Sequence, residues 1–317
     1  MRFIDADATR AALPFPALIE ALRTLFASGC EVPPRQVLEI AGADGGGGLT
    51  SLVMPAWLAG RCYGVKVVNI APGNAALGLP ALNASYLLYD ATTGVPLAAI
   101  DGDEITARRT AAASALAASW LAPSDARHLA LIGAGRVARL LVDAHRAVRP
   151  IERVSVWARS PKAAAALVAE LAARGSDARS AASVEAAVAD ADIVSCATLA
   201  REPLVRGAWL RRDSHLDLIG SFTPAMREAD DACFADAAIY VDTHEALAKS
   251  GDLLGPMARG VFAAGDVRGT LEELARGRVA GRRSPAGRTV FKSVGSALSD
   301  LAAAMLVCGS VTGDATP

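Results

Sequence analysis

A lysine stands inside an apolar, strand-like run, "YGVKVVNI", residues 63–70. Side chains alternate along a strand, so Tyr63, Val65, Val67 and Asn69 point one way and Gly64, Lys66, Val68 and Ile70 the other. Lys66 therefore shares a face with aliphatic neighbours. Desolvation lowers the pKa of a buried ammonium, which can then exchange protons near neutrality; one that stays charged can instead hold a carboxylate. The commoner fate of a strand lysine is a stem lying along a sheet edge with its head in water. Two arginines could complete an anion grip, because the guanidinium fork matches a carboxylate with two parallel bonds. Arg35 follows the rigid Pro33-Pro34 pair, and Arg109 lies in the helix-forming run "TARRTAAASALAASWLA". Arg35 could equally be a loop cation, and Arg108 competes with Arg109 for the part of a solvated helix residue.

A second pattern suits phosphate. "LALIGAGRVARLL" sets Gly133-x-Gly135-x-x-Ala138 directly after a strand and at the start of a helix. The first glycine permits the tight turn, and the second lets backbone approach a pyrophosphate. The small third residue lets helix and strand pack closely, and the helix N-terminus at Arg136 and Val137 attracts the phosphates. The strand–loop–helix context turns a weak glycine pattern into a dinucleotide-binding turn. An NAD site usually offers an acid at the end of the next strand, whereas a 2′-phosphate wants an arginine. This chain reads "VSVWARSPK" there, with Arg159 and Ser160 and no acid. The expected cofactor is NADP(H), with NAD(H) possible; the alternative is an Arg159 that is only a solvated loop residue. Thr198 closes a later strand, "DIVSCAT", where cofactor riboses pass.

Other chemistry-bearing residues read as structural. His128, His145, His215 and His244 show no metal spacing, and a satisfied structural histidine is expected at each. "DGDE" at 101–104 reads as the turn and cap of the helix that carries Arg109.

These residues need elements to position them. An amphipathic helix is expected over 14–28, then strands at 36–41, 49–53, 62–70 and 84–89, with a flexible hairpin-like connection "GADGGGGL" over 42–49. That is a mostly antiparallel sheet with a helix on it. From residue 127 strands and helices alternate: "HLALIG", a helix over 136–148, "RVSVWA", helices over 161–174 and 183–189, then "DIVSCAT", "SHLDLIGS" and "AAIYVDT". Such alternation specifies a parallel sheet wound with helices. The tail "TVFKSVGSALSDLAAAMLV" is a strand entering an apolar helix whose face (Val294, Leu298, Leu301, Met305) is expected to dock back on the first domain.

Composition bounds the rest. The 317 residues are 52% hydrophobic, enough for about two domains at ~150 residues each. Lys plus Arg (32) balance Asp plus Glu (33), so neither nucleic acid nor an anionic membrane is the expected partner. The five cysteines form no C-x-x-C pair, which argues against a disulfide framework or a structural zinc site. No apolar stretch approaches the ~20 residues of a membrane helix, and "MRFIDADATRAALPF" carries charges where a signal peptide needs an apolar run. A cytoplasmic location is expected.

The runs "GVKVVNIAPGNAALGLPAL", "DGDEITARRTAAASALAA", "LIGAGRVA", "GSFTPAMREAD" and "VFKSVGSALSDLAAA" occur in this order over nearly the whole chain. Together they resemble the ornithine cyclodeaminase/mu-crystallin family. The resemblance implies an α/β protein: a Rossmann-type doubly wound parallel sheet over 120–292, plus an α+β substrate and dimerisation domain from 1–119 with 293–317. It also implies a homodimer made through the substrate domains. Carried over onto this sequence, it makes Lys66 the active-site lysine, Arg35 and Arg109 the holders of a substrate carboxylate, and Thr110 a phosphate-side contact. Ser221, Ser293 and Val294 resemble residues lining the nicotinamide.

One departure decides the branch. Cyclodeaminases and the family's alanine dehydrogenase place an aspartate two residues beyond the glycine matching Gly220, where this chain has Phe222. Phenylalanine can neither bind an amine nor move a proton. The sequence resembles the imine reductase and mu-crystallin branch, which implies an NADPH-dependent reductase of small α-imino acids, reversibly an amino-acid dehydrogenase. An ammonia-releasing cyclodeaminase and a non-catalytic, crystallin-like binder are the alternatives.

Overall fold

The computed structural model describes residues 1–42, 48–283 and 286–312. Residues 43–47 of the expected glycine-rich connection lie outside the described residues. The chain divides into two compact units, Met1–Arg109 with Ser296–Pro317, and Thr110–Gly295.

The first unit begins with β1 (Arg2–Ile4), α1 (Ala6–Ala12) and α2 (Phe15–Ser28). There follow β2 (Gln36–Ile40), β3 (Leu49–Leu58), β4 (Cys62–Ile70), β5 (Leu82–Asp90) and β6 (Pro96–Asp101). The six strands form one sheet in the order β1-β6-β5-β4-β3-β2, antiparallel except for the parallel β1–β6 pair. The three-residue β1 went unread because it is too short to show alternation. Along β4, Cys62, Gly64, Lys66 and Val68 are all buried, so the lysine sits on the core face that its spacing implies.

Helix α3 (Gly102–Leu121) then runs through the division between the units, which falls at 109/110 rather than 119/120. The second division falls at 295/296 rather than 292/293. The early part of α3 is bound within the first unit, where the Arg108 Nε donates to the Leu13 carbonyl at 2.9 Å. Its later part belongs to the second unit, where the Ser114 hydroxyl donates to Asp217. Asp101 accepts from the Glu104 N–H at 2.7 Å, so the acid-rich start does cap the helix.

The second unit continues with β7 (His128–Ile132), α4 (Arg136–Arg146), β8 (Arg153–Trp157), α5 (Pro161–Ala173), β9 (Asp177–Ser180) and α6 (Val184–Val188). Then come β10 (Ile193–Cys196), β11 (His215–Leu218), β12 (Ala238–Val241), α7 (Ala246–Lys249) and α8 (Gly251–Ala258). It closes with β13 (Gly269–Thr270), α9 (Leu271–Ala275) and β14 (Thr289–Lys292). The eight strands run in the order β13-β12-β14-β11-β10-β7-β8-β9, every pair parallel. Residues of β7, β10, β11 and β14 are buried throughout, as strands covered on both faces must be. The polar edge strand β9 and the two-residue β13 carry no such apolar run, which is why pattern reading passed over them.

Helix α10 (Ala297–Thr312) returns the chain to the first unit, where it packs on α2, β3 and β4. Leu298, Leu301 and Met305 are buried on that helix, as are Leu18, Leu22 and Phe26 on α2, whereas Val294, expected on the same face, is buried in the core of the second unit because it precedes the helix. All five cysteines are free thiols.

Candidate active site

In the first unit, α10 brings an acid to the lysine. The Lys66 ammonium lies 2.6 Å from Asp300 Oδ2, and Arg109 Nε donates to Asp300 Oδ1 at 2.8 Å. All three side chains are buried, Lys66 at 1% exposure, Arg109 at 7% and Asp300 at 0%. Each carboxylate oxygen therefore answers one cation. Burial lowers the Lys66 pKa from 10.5 to about 8; Asp300 opposes that shift, while Arg109 and Arg35 add to it. Arg35 is thus close enough to act on Lys66 electrostatically, and it is half-buried in the segment leading into β2. Arg109 and Lys66 together hold the Asp300 carboxyl below its ordinary range despite burial. Directly across from Lys66 in the sheet is Tyr86, whose buried hydroxyl has no hydrogen-bond partner among the described residues. Gly64 makes room for that ring, since a Cβ there would stand 2.0 Å from the Tyr86 hydroxyl.

The two neighbouring arginines separate cleanly. Arg108 is packed over the Phe15 ring at 4.5 Å and bonds Leu13, whereas Arg109 reaches the lysine's partner. The Arg109 Nη groups make no hydrogen bond or ion pair among the described residues, so the end of the fork can take a carboxylate.

In the second unit, Gly133 has φ +119°, and a Cβ there would stand 2.6 Å from the Ala197 carbonyl. Only glycine suits that turn. Gly135 caps α4, and no atom lies within 4 Å of where its Cβ would be, which leaves the close backbone approach a pyrophosphate needs. Arg136 is exposed and Val137 half-buried at the helix start, and the buried Ala138 packs the helix down. Arg159 is exposed after β8; the Ser160 hydroxyl accepts from Ala163 N–H at 3.3 Å and caps α5. Thr110 is half-buried on α3.

The remaining expected cofactor contacts have their hydroxyls engaged by the protein. Thr198 donates its N–H (2.7 Å) and hydroxyl (2.8 Å) to Glu228 Oε1. The Ser221 hydroxyl donates to the Met226 carbonyl at 2.7 Å, and the Ser293 hydroxyl to Asp242 at 2.7 Å. Asp242 also accepts from the Val294 and Gly295 N–H groups, at 2.9 and 2.7 Å. These residues shape the loops after β10, β11 and β14, and their hydroxyls, having donated inside the protein, can still accept.

Residues 8–314 match the ornithine cyclodeaminase/mu-crystallin family. The chain belongs to that family. It is 42% identical to a Δ(1)-pyrroline-2-carboxylate reductase of Paracoccus denitrificans, covering 93% of this chain and 92% of that protein. It is 33% identical to the rat ketimine reductase mu-crystallin, over 97% and 96%. Among solved structures, the Thermococcus litoralis Δ(1)-pyrroline-2-carboxylate reductase in complex with NADH and L-proline superposes with a TM-score of 0.92. The two are 33% identical, with each chain fully covered. The likeness is to the imine reductase and mu-crystallin side of the family, as Phe222 implied; Phe222 itself is exposed in the loop after β11.

Four buried acids at these sites escaped sequence reading: Asp242, described above, and Asp300, Glu228 and Asp252. Asp300 lies in "SALSDLAAAM", where one acid interrupts an otherwise apolar helix; that interruption was the available signal. Glu228 takes four donors, from Thr198 N–H and hydroxyl on one oxygen and from Gly220 N–H (2.8 Å) and Ser221 N–H (3.2 Å) on the other. Burial pushes its pKa up to about 7, against the pull of Lys292. Asp252 accepts from the Glu228 N–H at 2.7 Å and meets the fully buried Lys292 ammonium at 3.2 Å. The histidines need one correction. His128 and His215 do have hydroxyl partners, at 2.8 and 2.9 Å, but His145 is buried with neither ring nitrogen hydrogen-bonded among the described residues. Burial and Arg149 push its pKa down to about 3, so it is carried as a neutral, space-filling ring.

Proposed function

We propose that this chain reduces small α-imino carboxylates, of the pyrroline- or piperideine-2-carboxylate kind, with NADPH as the preferred reductant, and in reverse oxidises the matching amino acid. The carrying observation is the buried Lys66–Asp300–Arg109 cluster with Arg35 beside it: a fixed cationic receptacle around one proton-exchanging group. Reductases of pyrroline-2-carboxylate and ketimines among its relatives support this reading. The reduced nicotinamide, when bound, supplies the hydride that enters the imino carbon. Arg109 and Arg35 hold the carboxylate and so orient the C=N bond. As its π electrons collapse onto nitrogen, Lys66 Nζ gives that nitrogen a proton and becomes a neutral amine, to be reprotonated from water. A lysine near 8 is charged at neutral pH yet able to let go. A cyclodeaminase would need an acid where the exposed Phe222 stands.

The test is oxidation of NADPH with pyrroline-2-carboxylate, piperideine-2-carboxylate, or pyruvate plus ammonia or methylamine. Turnover of a cyclic imine is expected; ammonia release from ornithine with no net cofactor change would overturn the reading. The preference for the phosphorylated cofactor rests on Arg159, Ser160 and the missing acid, since the Thermococcus relative was solved with NADH. Arg159→Ala should raise the Michaelis constant for NADPH about tenfold, equivalent to ~1.4 kcal/mol, and leave that for NADH unchanged. A wild-type preference for NADH would refute it. A homodimer through the first unit is part of the same reading, supported by exposed Val37, Leu38 and Ile40 on the edge strand β2. Sedimentation at a monomer mass would exclude it.

A further inference from the structure

We infer that Asp300 is the positioning residue of the proposed proton donor: a carboxylate shared between Lys66 and Arg109 that keeps the lysine charged and aimed, and stays compensated when the lysine gives its proton away. This inference rests on the reductase reading and deepens it.

Three cations meet in this part of the first unit: Arg35, Lys66 and Arg109. Only the lysine can lose a proton at ordinary pH, because a guanidinium titrates far too high. Without a carboxylate, burial and two neighbouring guanidinium charges would drive that proton off, and a neutral amine has none to donate. Asp300 is wholly buried and supplies the missing negative charge, with one oxygen per cation. The division of labour is geometric. Oδ2 is ion-paired with the Lys66 ammonium at 2.6 Å; Oδ1 takes Arg109 Nε, leaving both Nη groups for the substrate carboxylate.

The second partner is what makes the arrangement suit catalysis. A buried carboxylate bound to a lysine alone would be stranded each time the lysine became neutral, and that cost would oppose the proton transfer. Here Arg109 remains charged throughout, so Asp300 keeps a counter-ion in both states of Lys66. In the step itself the imino nitrogen gains a proton and an N–H bond, the Lys66 ammonium loses one, and Asp300 exchanges nothing. The groups facing Lys66 are Asp300 on α10, Arg109 on α3, Arg35 ahead of β2 and Tyr86 on β5. Of these, Asp300 alone holds the proton on.

The experiment compares the wild type with Asp300→Asn and Asp300→Ala. In each protein, Lys66 titration is followed by NMR of ε-labelled lysine without substrate, and kcat and kcat/KM for imine reduction are followed against pH. The wild-type rate should fall above about pH 8, where Lys66 becomes neutral. In Asp300→Asn both the lysine titration and the falling limb should move at least one pH unit lower, cutting activity at pH 8 by tenfold or more. Formate added to Asp300→Ala should restore the wild-type limb, whereas equal ionic strength of chloride should not. A Lys66 titration and pH limb unmoved in Asp300→Asn would overturn the inference, as would a uniform loss of rate without a pH shift. If Asp300→Asn does not fold, the formate response of Asp300→Ala decides alone. A Lys66 titration that moves as expected in a wild-type background that turns over no imine would sink the reductase reading and leave the lysine–aspartate coupling standing.

Discussion

The chain buries a lysine in each unit, and the two are set up for different work. Lys66 shares one carboxylate with Arg109, so two cations divide a single negative charge there. Lys292 faces Asp252, with Glu228 bonded to Asp252 through its backbone, so two carboxyl groups meet a single cation there. The acids around Lys292 are saturated by the chain itself. Asp252 receives two backbone N–H groups and Glu228 four donors, and together they tie the loop after β10 to the loop after β11. Arg109, which shares that carboxylate with Lys66, keeps its Nη groups unused by the described residues. Excess charge that the chain does not neutralise is a receptacle for a ligand; excess charge met by fixed backbone dipoles is a fastening.

If that contrast holds, removing each lysine should strike a different observable. Lys66→Met should lower kcat/KM for imine reduction by about 10³–10⁴, or ~4–5.5 kcal/mol of barrier, with NADPH binding by fluorescence titration essentially intact. Arg109 still answers Asp300 in that variant, so the fold should survive. Lys292→Met leaves Asp252 without its cation and should cost ~3–5 kcal/mol of unfolding free energy in urea. Exchanged outcomes, with Lys66→Met unfolding and Lys292→Met merely slow, would break the contrast.

The pH response of the fastening sharpens it. Glu228 is raised from 4.5 to about 7 in the folded chain. Between those values the folded state keeps a proton that the unfolded chain has released. This contribution to stability is complete below about pH 4.5 and is lost as pH rises toward 7. Urea unfolding followed from pH 5 to 8 should show the decline, and Glu228→Gln should flatten it; an equal slope in both proteins would remove Glu228 as its source. The smallest effect is expected from Thr198→Val, which deletes one of the four donors to Glu228. It should cost ~1 kcal/mol of stability and leave the pH limb of catalysis where it was.

Much of this was legible from local pattern. The alternation around Lys66 placed it on the buried face, and the glycine spacing after "LALI" placed the dinucleotide turn, because both depend on residues within a few positions of each other. Arg109 could be preferred to Arg108 only through family resemblance; the fold separates them by giving one a carboxylate and the other an aromatic ring and a carbonyl. Family resemblance makes Ser221 and Ser293 lining residues of the nicotinamide; the fold adds that their hydroxyls donate to the Met226 carbonyl and to Asp242. No local pattern reports where a side chain's hydrogen bond will go.

By itself the sequence determined that there are two units, one carrying a glycine turn for a dinucleotide and one carrying a lysine on the core face of a strand. Periodicity and turn chemistry are written in neighbouring residues. Only the tertiary structure decided what that lysine is. Asp300 is 234 positions further along the chain than Lys66 and 191 beyond Arg109, and the return of α10 to the first unit brings them within hydrogen-bonding distance. An ammonium on a buried face reads as a liability until its counter-charge arrives, and here that charge comes from the other end of the protein.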